Sequence, residues 1–375
     1  MKHNSRSNDY NIYSNKRRRN NNAKRTFAMV CLLLCAVSLI CIVVFGIMLL
    51  VGNGKSDTKA TVASSSIPLA SSSDSSVVNP SDVPTDTTPA APTAVVDAAT
   101  REQMRIQLES DISTFLSSQS GRYSVAYINL TTGETIMINE TAPMVAASSI
   151  KLAFNTYLYK QAAAGVLSLS DTIAYNAAPY PDGDLEYGTG TIQNSADGTS
   201  YTLSEVSGLS IRISDNCGTN MVLRALGGID TVNTNYMAPI SHVVDYRTSV
   251  SYTDYTGAAS SGRHRTSAID LAYYAQELYN LYKADPTSYE PLINDLCNTE
   301  YSWGVPAGVP QGTSVAHKIG FNSSYGTNND VGIVFSTEDY VLCVMTETGD
   351  GARAQENIGA ISSMVYDYIS TVYGM

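Results

Sequence analysis

Apolar and polar positions follow readable periods from residue 101 onward. Met104, Ile106, Leu108, Ile112, Phe115 and Leu116 recur at helical spacing over 101–118. Residues 123–130 alternate as a strand does, and Thr131-Thr132-Gly133-Glu134 is a hairpin turn into a second strand over 135–139. Pro143 breaks the chain before a helix predicted over 148–164. A loop rich in Gly, Asp and Tyr spans 177–198. Helices are predicted over 202–209 and 215–226, the second ending at Gly227-Gly228. Ser267-x-x-Asp270 caps a further helix reaching Lys283, with Pro286 as its stop. Three strands follow at 314–320, 330–336 and 340–347, then a last helix over 354–372. Helix, two strands, helical block, three strands, helix is an α+β order.

Upstream the pattern changes three times. Residues 1–26 form a polar tail with eight Lys/Arg against one acid, Asp9. Residues 27–52 are the predicted transmembrane helix, because Phe27 to Val51 is an uncharged apolar run long enough to cross a bilayer core. The cluster Lys16 to Arg19 holds its N-terminal side in the cytoplasm. A single-pass cell-membrane protein with an extracytoplasmic C-terminal domain is expected. A cleaved signal peptide would need a small-residue site after the run, and Gly52-Asn53-Gly54-Lys55 is not one. Residues 53–97, mostly Ser, Thr, Pro, Ala, Val and Asp, cannot build a core and read as a disordered linker spanning a wall layer. Residues 98–375 are long enough for a full core.

Beyond the apolar run the chain carries 15 basic and 33 acidic side chains, so nucleic acid is a poor partner. Cys31, Cys35 and Cys41 lie in the apolar run. Cys217, Cys297 and Cys343 form an odd set that allows at most one disulfide, and their pairing stays open. The histidines show no metal-ligand spacing.

Three short elements carry candidate chemistry: Ser148-Ser149-Ile150-Lys151, Ser214-Asp215-Asn216 and His317-Lys318-Ile319-Gly320. Ser148 and Lys151 share a helix face. A hydroxyl becomes a good nucleophile when an adjacent base takes its proton, and a lysine is that base once burial or a second cation lowers its pKa. Lys318 is a candidate for that cation. Taken singly, each element has a plainer reading: a capping serine with a surface lysine, an N-cap, an edge-strand lysine. Lys151 argues against the first of these, since it sits in the apolar stretch 145–154.

Together and in this order, S-x-x-K, S-D-N and K-x-G resemble the site of class A β-lactamases and penicillin-binding proteins. The resemblance covers about 101–375. It implies a β-lactamase/transpeptidase-like fold: a five-stranded antiparallel sheet flanked by the terminal helices, with an all-helical subdomain beside it. It implies Ser148 as nucleophile, Lys151 as base, Ser214 as proton relay and Lys318 as electrostatic anchor. Asn216 would bind the substrate's amide side chain, Asp215 would brace its loop, and Gly320 would let ligand approach the strand. Phe321 would give the second oxyanion N–H beside that of Ser148. No metal or organic cofactor is implied, and a monomer acting on a small β-lactam or a peptidoglycan stem peptide is expected.

Two positions depart from the pattern. Ile319 stands where a Thr or Ser hydroxyl is usual. The E-x-x-L-N element, whose Glu activates the deacylating water, is missing: 229–266 holds no Glu, only Asp230, Asp245 and Asp254. Asp254 reads as a turn residue. Hydrolysis of an acyl-enzyme is therefore expected to be slow. The leading reading is a serine hydrolase acting on β-lactam or acyl-D-Ala-type amides through a covalent acyl-enzyme. A D,D-peptidase or other wall acyl transferase is one alternative. A non-catalytic wall-binding or sensor protein that keeps the fold is another.

Overall fold

Five strands form one antiparallel sheet: β1 (Arg122–Asn129), β2 (Thr135–Ile138), β9 (Ser314–Asn322), β10 (Thr327–Phe335) and β11 (Tyr340–Glu347), in the order β2-β1-β11-β10-β9. The structure, a computed structural model, describes residues 93–374. The predicted transmembrane helix over 27–52, the basic tail and linker residues 53–92 lie outside the described residues. Among the described residues no helix is long and apolar enough to cross a membrane.

Both faces of the sheet are covered, and strand alternation divides its residues between two cores. Val125, Tyr127, Leu342 and Val344 face one core. It is closed by α1 (Ala98–Ser117), through Leu108, Ile112 and Leu116, and by the last helix, Gly351–Val372, through Ile358, Ile361, Val365 and Ile369. Ala126, Ile128, Val341, Cys343 and Met345 face the second core, which they share with the helical block. The sheet therefore reads as near-continuous apolar runs, since burial on both faces leaves little polar alternation. The folded contacts begin a few residues before the expected boundary at 97. Val95 N–H donates to Val372 O at 2.9 Å, and the Asp97 carboxylate caps α1 through Thr100 N–H at 2.8 Å.

The helical block holds α2 (Lys151–Ala163), α3 (Leu203–Arg212), α4 (Asn216–Ala225), α5 (Ala268–Ala284) and α6 (Pro286–Cys297). Thr202 and Glu205 close a capping box on α3, and Ser267 caps α5 through Asp270 N–H, as its sequence signal requires. Pro286 does not merely stop α5. It is the first residue of α6, where its missing N–H has no intrahelical partner to lose. A short antiparallel pair, β4 (Thr172–Ala174) with β5 (Ser200–Thr202), and a polar β-hairpin, β6 (Val250–Thr253) and β7 (Ala259–Gly262), also join the block, followed by the short β8 (Arg265–Thr266), which pairs with β3 (Met144–Val145). The expected turn role of Asp254 is seen there: its Oδ1 accepts from Thr256 N–H, Thr256 Oγ1 and Ala258 N–H. Cys217, Cys297 and Cys343 are all free thiols.

Candidate active site

The three sequence elements meet between β9 and the helical block. Ser148 lies in a 3-10 turn, Ala147–Ile150, that leads directly into α2, so Lys151 opens the helix. The turn starts from strain. Ala147 has φ 45°, a left-handed conformation that a residue with a Cβ rarely adopts. The sheet holds this geometry. Asn329 Nδ2 on β10 donates to Val145 O at 2.8 Å and Ala146 O at 3.2 Å, and its Oδ1 accepts from Thr346 N–H. Glu347 on β11 accepts from Val145 N–H at 2.8 Å and pairs with Arg122 at 2.6 Å. Motif reasoning missed both residues. They lie in strand stretches where a polar residue at a buried position was the available signal, since such a residue must have a specific partner.

Gly320 explains itself through the same turn. A Cβ there would stand 2.7 Å from Ala146 O and 2.8 Å from Ser149 N. The chain that comes so close to Gly320 is therefore the protein's own nucleophile turn. Ser148 is half-buried and lines the cleft, whereas Ser149 is fully buried and donates its hydroxyl to Ala146 O at 2.6 Å. These adjacent serines thus differ sharply in access.

Lys151 is buried, and its Nζ donates to Ser214 O at 2.7 Å and Asn216 Oδ1 at 2.9 Å, with Ser214 Oγ at 3.3 Å. Burial brings its pKa down to about 7, against the opposing negative charges of Glu186 and Asp215. Lys318 is completely buried on β9. Its Nζ reaches the same Ser214 Oγ at 3.1 Å and Ile319 O at 3.0 Å. Burial, and then the charge of Lys151, push Lys318 well below the ordinary lysine value. The coupling runs opposite to the expected direction: Lys151 lowers Lys318, whereas burial is what lowers Lys151, and desolvation is the leading cause in both.

Ser214 also carries backbone strain, with φ 56°. Asp215 holds that loop: its Oδ2 accepts from Thr191 N–H at 2.6 Å and Ile192 N–H at 2.9 Å, and its Oδ1 caps α4 through Gly218 N–H at 2.9 Å. Capping and bracing are thus one role shared between two oxygens. Thr189 Oγ1 donates to Ser214 O at 2.6 Å from the other side. His317 is part of β9, its Nδ1 3.0 Å from Asp330 on β10 and its Nε2 2.9 Å from Thr299 Oγ1. It is a structural post between strands. Ile319 is buried, and its carbonyl is what meets Lys318.

The cleft has a volume of about 690 Å³ and is lined by Ser148, Lys151, Asn216 and Phe321 among others. Phe321 is 54% exposed on β9, the edge strand, whose outer side leaves every second N–H and C=O unpaired within the sheet. Glu186 is the single carboxylate among its lining residues, with Oε2 accepting from Asn220 Nδ2 at 3.1 Å. It comes from the Gly-rich loop that precedes Ser214. Sequence spacing gave no signal for it, because only the fold brings that loop over α4. The segment 229–266 contributes no acid to the cleft lining, in agreement with the missing motif.

Residues 107–369 match the model of the Beta-lactamase enzyme family. A β-lactamase of Proteus vulgaris is 26% identical over 238 residues, which is 61% of this chain and 82% of that protein. The solved structure of PBP-A superposes with a TM-score of 0.61 at 25% identity, covering 71% of this chain and 96% of PBP-A. A PBP-A variant solved as its acyl-enzyme complex with penicillin G gives a TM-score of 0.58 at 24% identity, covering 72% and 97%. With a family match across most of its length, on the sheet and helical block just described, this chain belongs to the Beta-lactamase enzyme family and is a β-lactamase-like serine hydrolase.

Proposed function

We propose that the protein opens β-lactam amides by acylating Ser148, with Lys151 as the base. The observation that carries this reading is the amine of Lys151: buried, with a pKa near 7, and three residues after an accessible serine hydroxyl. In its neutral form the amine has two hydrogens, and two close acceptors, Ser214 O and Asn216 Oδ1, take them. Its lone pair is then free for a proton.

In the reaction, Ser148 Oγ bonds to the carbonyl carbon as its proton passes to Lys151 Nζ. The N–H groups of Ser148 and Phe321 stabilise the oxyanion. The proton moves through Ser214 Oγ to the leaving nitrogen, and the C–N bond breaks. Lys318, on the far side of Ser214 Oγ, stabilises the negative charge that develops during the relay. Asn216 supports the substrate's amide side chain. Water then attacks the ester, regenerating Ser148 and releasing the acid. With no acid from 229–266 in the cleft, this second step is slower than the first. The apolar run at 27–52 fits a membrane anchor that presents this domain outside the cell.

A fluorescent penicillin run on a denaturing gel tests the reading. The wild type retains label and Ser148→Ala does not. Lys151→Met, which keeps length but removes the base, labels at least about 100-fold more slowly. Label on Ser148→Ala would refute the assignment.

A further inference from the structure

One cation of the cleft has no part in that chemistry. Arg265 stands on β8, across from Val145, beside the turn that carries Ser148. It is only 3% exposed, yet it lines the cleft. A buried guanidinium is costly unless a carboxylate or several acceptors compensate it. Even the less buried Arg122 and Arg247 each have a carboxylate partner, Glu347 and Asp230. Arg265 does not. Its Nη2 donates to the Tyr252 hydroxyl, and its Nε has no acceptor among the described residues. No carboxylate of the described residues forms an ion pair with it. Aromatic rings flank it instead, with its Cζ 3.7 Å from the ring centroid of Tyr252 and 5.6 Å from that of Tyr325. Most of a planar donor fork, suited to a carboxylate, is left unused.

Its place along the cleft identifies which part of a ligand it would meet. β9 carries Lys318 beside Ser214 at its midpoint and ends at Asn322, about 13 Å further on at strand rise. Tyr325, in the turn after β9, contacts Arg265 at that far end. The leaving nitrogen faces Ser214, so the acyl side chain extends past Phe321 toward Asn322 and Arg265. We infer that Arg265, walled by Tyr252 and Tyr325, is a carboxylate-binding subsite for the acyl side chain. The site thereby selects acyl donors that carry a free acid there. The direction of the ligand rests on the acyl-transfer reading above. Exposed Arg263 lines the same cleft and adds positive field, while the opposing charge of Glu186 is hydrogen-bonded by Asn220.

Two penicillins that differ in one group test this: benzylpenicillin, with a neutral side chain, and carboxybenzylpenicillin, with an added side-chain carboxylate. Equilibrium binding is measured on full-length Ser148→Ala, where no covalent bond forms, and acylation rates on the protein with Ser148 intact. The carboxylated compound binds and acylates about tenfold better, or more. Arg265→Gln removes the preference, and Arg265→Lys, which keeps the charge, retains part of it. Equal binding of both compounds, binding of neither, or a preference that survives Arg265→Gln overturns the subsite. Should Arg265→Gln fail to fold, the comparison of the two compounds on the unsubstituted subsite and on Arg265→Lys still decides. Acylation without preference sinks the subsite and leaves the serine chemistry standing. Preference in binding with no acylation does the reverse.

Discussion

Acylation should switch on with pH as Lys151 loses its proton, and the size of the effect follows from where the amine sits. Only the neutral amine accepts the proton of Ser148. With a pKa of about 7 it is neutral in about one molecule in eleven at pH 6 and about ten in eleven at pH 8. The rate constant of acylation by benzylpenicillin therefore rises roughly tenfold between these values and then levels. An ordinary lysine at 10.5 would be neutral in about one molecule in 3,000 at pH 7, so burial raises the supply of base about a thousandfold. Folding is linked to the same proton. Between pH 7 and 10.5 the unfolded chain binds a proton here that the folded chain does not. The stability contribution of this group therefore rises with pH across that window and is flat outside it. The assay is stopped-flow acylation from pH 5.5 to 8.5, with near-ultraviolet circular dichroism at each pH to show that the fold persists. A flat profile, or a rate still climbing steeply at pH 8.5, would refute Lys151 as a base tuned by desolvation.

Other expectations follow from single contacts. Glu186→Gln removes the leading charge that holds the Lys151 pKa up, so the midpoint of the acylation profile moves to lower pH; an upward move in the same stopped-flow series counts against it. Gly320→Ala drives a Cβ into two backbone atoms of the nucleophile turn. Thermal denaturation should show a loss of about 1–3 kcal/mol, and acylation should fall by about 100-fold because the turn must shift. Unchanged acylation in Gly320→Ala would mean that the turn accommodates the strand without displacing Ser148.

What the sequence could reveal depended on whether local rules governed each part. α1, the hairpin of β1 and β2, the three C-terminal strands and the caps at Ser267 and Asp215 were all legible, because apolar period and cap chemistry are local properties. So was the meeting of Lys151, Ser214 and Lys318, with Ser148 lining the same cleft as Lys151, although only through order and motif. The β6–β7 hairpin was not legible, because it packs little apolar surface and its Ser, Thr and Gly look like loop. Pro286 was read as a terminator, because a proline that ends one helix and opens the next gives the same local signal. Ala147 shows nothing in sequence of its left-handed backbone, which follows Val145 and Ala146, the residues that Asn329 and Glu347 anchor through long-range contacts. Glu186 and Arg265 reach the cleft through long-range packing, so neither spacing nor motif could single them out.

The account turns on which oxygen becomes acylated, and two serines stand side by side to decide it. Ser148 is accessible to the cleft; Ser149 is buried and already hydrogen-bonded to Ala146 O. The most direct measurement is mass spectrometry of the purified protein after brief exposure to benzylpenicillin, followed by peptide mapping of the adduct. The account predicts a gain equal to the whole penicillin, since ring opening loses no atoms, located on Ser148 and absent from Ser148→Ala. An adduct on Ser149 or any other residue, or no adduct at any time point, would contradict it.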